Sequence, residues 1–204
     1  HGQNKTAELG VKLVDTQVIG LKDLDATSQL LNMKKADPEY ALIQQTYMAT
    51  STILKDSAKL GLRTQYIGLN WTLGEKLIEL VGDIAEGYMG TSGFAFWDNE
   101  EVEGIRFLRE LNKKYHPQIT FRPVNYIQGF SSMYVLLSGL RMADKDYSGE
   151  NLKKVFESMK NFNTMGLTAP VTFSPESHAG VNAMKIYRIE QGKIKPITDY
   201  IYAE

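Results

Sequence analysis

"YALIQQTYMATSTILKDSAKLGLRTQYIGLN", residues 40–70, decides the fold class. YALIQQ (40–45) is a short apolar run suited to a buried parallel strand. A helical stripe follows through Ile53, Leu54, Ala58 and Leu60, and Gly61 closes it in the position that helix C-termini favour. TQYIG (64–68) is again strand-like, with its own glycine as the stop. Two strands joined by one helix through short connections make a βαβ unit, and such units build parallel sheets.

The same alternation extends on both sides. Upstream, VKLVDTQVIG (11–20) is rich in β-branched residues, ends in Gly and is predicted as a strand. Asp25 is a cap candidate for a helix carrying Leu30, Leu31, Met33 and Lys34 that must stop near Pro38. Downstream, residues 74–81 put Leu77, Ile78 and Val81 on one side of a helix that stops at Gly82, and GYMGTSGF (87–94) is a further strand. The order β, α, β, α, β, α, β predicts an α/β protein with a parallel doubly wound sheet.

Beyond residue 94 the pattern changes. A helix over 100–115 is predicted with Asn99 as cap, Glu100 and Glu101 in the first turn, Lys113 and Lys114 in the last, and Pro117 as its stop; the charges suit the helix dipole. Val102, Ile105, Leu108 and Leu111 form its apolar stripe. QITFRPVNYIQ (118–128) has a proline and no stripe, which fits a crossing segment. Two more helices follow, one through Ile127, Phe130, Tyr134 and Leu137, the other through Leu152, Val155, Phe156, Met159 and Phe162, with no strand between them to cover their apolar faces. The chain then closes with "PVTFSPESHAGVNAMKIYRIEQGKIKPI" (170–197), two β-like runs about an EQGK turn, with His178 in a Ser/Pro/Glu linker just before them. One histidine in such a linker is expected to be solvated or locally hydrogen-bonded, since a metal site needs further ligands and His1 and His116 are not placed to supply them.

Composition narrows the function classes. The chain has 204 residues, 23 Lys+Arg against 24 Asp+Glu, and a formal net charge of -1. That balance supplies no broad basic field, so nucleic acid is not an expected partner. The cysteine count is 0, which removes disulfides, thiolate chemistry and Cys-based zinc sites together. No apolar run approaches the roughly 20 residues of a membrane span. GxSxG, P-loop, GxGxxG and HExxH patterns are absent, "GFSSM" (129–133) lacks the second glycine of a nucleophile elbow, and neither an enzymatic activity nor a cofactor is expected.

Three blocks, "GLRTQYIGLNWTLGEKLIELVGDIAEGYMGT" (61–91), "YIQGFSSMYVLLSGLRMA" (126–143) and the 170–197 stretch, resemble the C-terminal half of the type I periplasmic solute-binding proteins of ABC importers, the branched-chain amino acid binding group in particular. The resemblance implies two α/β lobes joined by a multi-strand hinge, with a small ligand trapped in the cleft between lobes. It implies that residues 1–120 are most of the second lobe without its first strand, 121–176 a helical return into the first lobe, and 177–204 a hinge crossing with strands returning to the second. The chain is therefore expected to be a portion truncated at its N-terminus, with weak ligand binding by itself. The helices at 125–142 and 152–162 are then expected to self-associate with another copy or to stay poorly protected. The location it implies is periplasmic or extracellular, with a lipid anchor an option carried upstream.

Ligands of open parallel sheets bind beyond the carboxyl ends of the strands. That rule nominates Thr46 and Tyr47 after YALIQQ, and Asn70 and Trp71 after TQYIG. The resemblance points to the same positions and adds Gln128 at the start of the helix after the crossing. It also implies an acid at the position of Asn70 to pair with a ligand ammonium. An amide there cannot neutralise a cation, which counts against a simple aliphatic α-amino acid. The expected activity is ligand capture with hinge closure, handing an amino-acid-like or related organic solute to a membrane permease. A ligand-sensing module of a receptor or regulator shares this fold and is the alternative; the ending ITDYIYAE (197–204) favours the free receptor.

Overall fold

The structure, a computed structural model, describes residues 2–21 and 23–203. The chain divides into two compact units, His1–Gly90 and Thr91–Glu204.

The first unit follows the alternating pattern. Helix α1 (Gly2–Glu8) leads into an irregular stretch, then α2 (Thr27–Ala36), β1 (Tyr40–Ile43), α3 (Tyr47–Leu60), β2 (Gln65–Gly68), α4 (Glu75–Val81), a 3₁₀ turn (Gly82–Ala85) and β3 (Met89–Ser92), which carries the chain into the second unit. β1 and β2 pair in parallel from Tyr40↔Gln65 to Ile43↔Gly68, and β2 pairs in parallel with β3 through Ile67↔Met89 and Gly68↔Gly90. Gly61 ends α3 at φ 64°, its N–H bonding back to the Ala58 and Ser57 carbonyls, a left-handed stop that costs glycine no Cβ clash. Leu30, Met33, Ile53, Leu54, Leu77 and Val81 turn inward as the core of this unit.

Two details of this region differ from the sequence reading. Residues 11–20 form no strand: Val11, Leu13 and Val18 are 56%, 50% and 82% exposed. A β-branched run has a preference for extended backbone, but a strand exists only where a neighbour completes its ladder, and β1 stands at the end of the strand order with β2 as its partner. Side chains tether the segment instead, Gln45 Nε2 donating to the Ile19 carbonyl at 2.6 Å and Gln29 Nε2 to that of Val18 at 3.3 Å. β1 is buried on one face only, where its apolar composition predicts full burial: Ile43 is 5% exposed, while Tyr40 and Leu42 on the other face are 55% and 67% exposed.

The α2–α3 contact turns on one carboxylate. Asp56 on α3 is buried, accepts the Ala26 backbone N–H at 3.0 Å just before α2, and accepts Lys59 Nζ at 2.8 Å. Asp25, the sequence candidate for this cap, bonds Thr27 locally, while Ala26 occupies the cap position. The helix ends at Asp37 in a left-handed conformation, just before Pro38 as expected.

In the second unit, α5 (Glu103–Tyr115) starts later than predicted. Val102 is at the cap position, and Asn99 has another use: buried, its Oδ1 accepts the Phe96 N–H at 2.9 Å and its Nδ2 donates to the Ile194 carbonyl at 3.2 Å. A cap needs only local contacts, whereas this Asn satisfies one backbone group in the turn before it and one 95 residues away, and the helix first turn falls to Glu103 rather than Glu100 and Glu101. Ile105 and Leu108 are completely buried with Ala95, Trp97, Ile127 and Leu167 in one apolar cluster.

Helices α6 (Val124–Met142) and α7 (Gly149–Ser158) follow. Ser148 caps α7 by accepting the Asn151 N–H at 3.3 Å, and Met159 and Phe162 lie past its end. The closing segment makes two hairpins where the sequence reading has one. β4 (Thr172–Ser174) pairs antiparallel with β5 (Ser177–Gly180), and β6 (Ala183–Glu190) with β7 (Lys193–Pro196), while β8 (Ile201–Tyr202) joins β6. The turn of the second is the expected EQGK, with Gln191 at φ 54° and Gly192 at φ 70°, the left-handed pair that tight hairpins need. α7 packs on β4 and on α6, so part of the apolar surface that lacked a sheet in the sequence is covered by the extra hairpin; Met133 and Leu137 on α6 remain about half exposed, at 50% and 51%.

The bonds from Lys59 and from the Ala26 amide hold the Asp56 carboxyl below its ordinary pKa. Its contribution to stability is therefore complete above the unfolded-state value of ~3.9 and is lost as pH falls through the lower folded-state value. Asp56→Asn should cost about 1–3 kcal/mol near neutrality. In urea unfolding across pH, the gap between wild type and D56N should close below pH ~4; a gap that stays constant into strong acid would contradict this role.

Candidate functional site

The carboxyl ends of β1 and β2 lie side by side because their pairing is parallel and in register. The Leu69 N–H continues that ladder, donating to the Ile43 carbonyl at 2.8 Å. Directly after it the chain reverses: the Thr72 N–H and Oγ1 both bond the Leu69 carbonyl, at 2.9 and 2.7 Å. The Tyr88 hydroxyl in turn donates to Thr72 Oγ1 at 2.9 Å. Thr72 and Tyr88 are 1% and 3% exposed, so the base of the turn is buried and fully tied. Gly68 makes room for it, since a Cβ there would run into the Thr72 side chain and the Tyr88 hydroxyl. Burial pushes the Tyr88 hydroxyl well above its ordinary pKa, so it stays a donor throughout the physiological range.

A turn whose base is fixed projects its two central residues. These are Asn70, half-buried, and Trp71, 61% exposed. An indole exposed to that extent offers a broad apolar face and one N–H donor to whatever meets this end of the sheet.

The loop after β1 supplies the second part. Thr46 takes the cap position of α3 in extended conformation, φ −97° and ψ 169°, and its side chain makes no cap bond; it is exposed beside the free start of the helix. Tyr47 is half-buried, and its role is partly structural. Its hydroxyl lies against Gly74, where an added Cβ would come within 2.8 Å of it, and both burial and the neighbouring Glu75 charge raise its pKa. Met48 and Leu69 flank this end of the sheet, 58% and 39% exposed.

Thr46, Tyr47, Asn70 and Trp71 thus share one end of the parallel sheet of the first unit. Gln128 belongs to the second unit, half-buried in the early part of α6, where its carbonyl accepts Ser132 Oγ at 3.0 Å. Met48 and Leu69 escaped the sequence reading because a Met and a Leu beside strands look like core.

His178 is in β5 rather than in a linker; its side chain is exposed as expected, but its hydrogen bond is made to a different element instead of locally. Its Nε2 lies 3.0 Å from Glu157 Oε1 on α7, and Lys153 approaches the same carboxylate at 3.7 Å. Among the described residues, no group of three or more His, Asp or Glu could hold a metal ion. A cavity of about 340 Å³ in the second unit, lined by Asn161, Thr172, Ser174, Ser177, Asn182 and Tyr202, has no signature in the sequence, since it arises from the pairing of β4 with β5. No helix among the described residues is long and apolar enough to cross a membrane.

The family model described as periplasmic binding protein matches residues 3–193. Among solved structures, a branched-chain amino acid ABC transporter protein from Thermus thermophilus with bound valine superposes with a TM-score of 0.86 at 27% identity, covering 98% of this chain and 56% of that one. A leucine-binding protein from Thermotoga maritima gives 0.80 at 18% identity over 98% and 55%, and a fatty acid ABC transporter substrate-binding protein from Thermomonospora curvata 0.82 at 18% over 99% and 53%. The chain spans little more than half the length of these proteins. No curated protein sequence matches it.

The buried anchor of the turn makes two quantitative expectations. Tyr88→Phe should cost about 0.5–1.5 kcal/mol, the net worth of one hydrogen bond. Gly68→Ala, which must displace both Thr72 and Tyr88, should cost about 1–3 kcal/mol. Urea denaturation of both variants checks the order; G68A as stable as wild type would show that the turn is not anchored in this way.

Proposed function

The chain belongs to the periplasmic binding protein family, and on that premise we propose that it forms the ligand-binding part of an extracytoplasmic solute receptor serving an ABC importer. The observation that carries this reading is the convergence of Thr46, Tyr47, Asn70 and Trp71 at the carboxyl end of a parallel sheet, where ligands of open α/β sheets bind. The ligand is a small organic solute, amino-acid-like or related. In the receptor, residues 1–120 belong to the second lobe, 121–176 return to the first lobe, and 177–204 cross back. Gln128, near the start of the returning segment, is a further ligand contact.

The mechanism needs no covalent chemistry. An open receptor exposes its cleft, a ligand that contacts both lobes has higher affinity for the closed form, and the population shifts by that differential affinity. A membrane permease then recognises the closed shape and accepts the ligand. The family and its solved relatives are binding proteins, and the uncharged side chains of Thr46, Tyr47, Asn70 and Trp71 suit capture rather than proton transfer.

Two measurements on the natural polypeptide carrying this chain test the proposal together. In a thermal-shift screen of amino acids, amides and organic acids, a true ligand at 100 times its Kd should add about 2.7 kcal/mol of stability. Small-angle scattering with that ligand should show a smaller radius of gyration than without it. Binding with no compaction would refute hinge closure; absence of any stabilising small solute would refute the receptor function.

A further inference from the structure

We propose that this end of the first unit accepts the uncharged end of the ligand, an aromatic or branched apolar group set on Trp71 with a neutral hydrogen bond at Asn70, and that a ligand presenting an ammonium group here is selected against. The inference rests on the solute-receptor reading above and names the ligand class within it.

The argument begins with what these loops lack. Residues 40–54 and 64–74 contain no Asp, Glu, Lys, Arg or His, in a chain where 23% of residues are charged. These two stretches are β1 and β2 with everything that follows them at the ligand end of the sheet, including the first two turns of α3. Charge returns only at Lys55, far along α3, and at Glu75, the first residue of α4. Glu75 is a poor partner for a ligand cation: its Oε1 is buried, it occupies the first turn where the helix dipole favours an acid, and its charge bears on the Tyr47 hydroxyl.

What the loops present instead is apolar surface with amide and hydroxyl groups. Trp71, Met48 and Leu69 are 61%, 58% and 39% exposed, with Asn70 and Thr46 beside them in sequence. Closing a cleft removes water from whatever faces this surface. An ammonium group would lose its hydration and gain the amide oxygen of Asn70 and the face of the Trp71 indole, neither of which supplies the full countercharge that offsets the loss of its solvation. A ring or branched chain loses nothing of that kind, and the indole offers it a broad face. The buried Thr72–Tyr88 bond ties the turn that carries Trp71 before the ligand arrives, so the backbone of this loop need not be ordered on binding.

The discriminating experiment compares matched pairs that differ only in the amino group, phenylalanine against 3-phenylpropanoate and leucine against 4-methylpentanoate, by titration calorimetry on the natural polypeptide carrying this chain. The deaminated member of each pair should bind at least tenfold more tightly. Trp71→Ala should weaken 3-phenylpropanoate at least tenfold, and Asn70→Asp should shift the preference back towards phenylalanine, both variants being checked for unchanged melting in the absence of ligand. Amino acids binding as well as or better than their deaminated partners, whether through Glu75 or by a cation lying on the Trp71 face, would overturn the inference while leaving the receptor function intact. If no probe binds, the inference also falls, and native mass spectrometry against a metabolite mixture then separates the two claims: capture of another small solute keeps the receptor, and no capture removes both.

Discussion

The in-register parallel pairing of β1 with β2 is the constraint on which the candidate site depends. It puts Ile43 beside Gly68, so that the Leu69 amide reaches the Ile43 carbonyl and the two exit loops leave the sheet together. One residue of slip would turn every side chain of β2 to the opposite face and separate Thr46 from Asn70. The turn that follows is fixed from below by Thr72 and Tyr88, which fill the space left by the missing side chain of Gly68. Three consecutive requirements, a register, a glycine and a buried hydroxyl pair, therefore end in one exposed indole.

The chemistry available there is that of recognition. Exposed Trp71, Met48 and Leu69 provide contact area, and Asn70 and Thr46 provide hydrogen-bonding groups without formal charge. Several charged groups of the first unit bond within its own helices or at their ends. Asp56 satisfies the amide at the start of α2 and holds Lys59, while Lys76 and Glu79 pair on the exposed side of α4. Residues 40–54 and 64–74 accordingly place no ionised side chain in the loops directly after β1 and β2.

In the second unit, polar side chains perform joinery that local sequence rules assign elsewhere. Asn99 links a turn to β7 through the Ile194 carbonyl, and Arg109 spans the Trp97 carbonyl and the Glu100 carboxylate while its guanidinium lies over the Trp97 ring. His178 ties β5 to α7 through Glu157. Each of these contacts joins residues distant in sequence or in different elements, which is why a cap, a first-turn acid and a linker histidine were the natural local readings for Asn99, Glu100 and His178.

The sequence by itself determined the βαβ order, the helix stops at Gly61 and Gly82, the EQGK turn and the position of Thr46, Tyr47, Asn70 and Trp71 after their strands. All of these follow from local chemistry: periodicity of apolar residues, the left-handed freedom of glycine, and the rule that loops at strand ends bind ligands. Only the tertiary structure decided that residues 11–20 stay out of the sheet, that one face of β1 is exposed, that Asn99 bonds backbone instead of capping, and that a hairpin forms ahead of β6. A strand, unlike a helix, draws its hydrogen bonds from other segments, so its existence and its burial are settled by which neighbours are present and not by its own residues. The same distinction holds at the site: the residues at the turn were legible, whereas the buried bond at its base pairs Thr72 with a Tyr88 contributed from beyond α4.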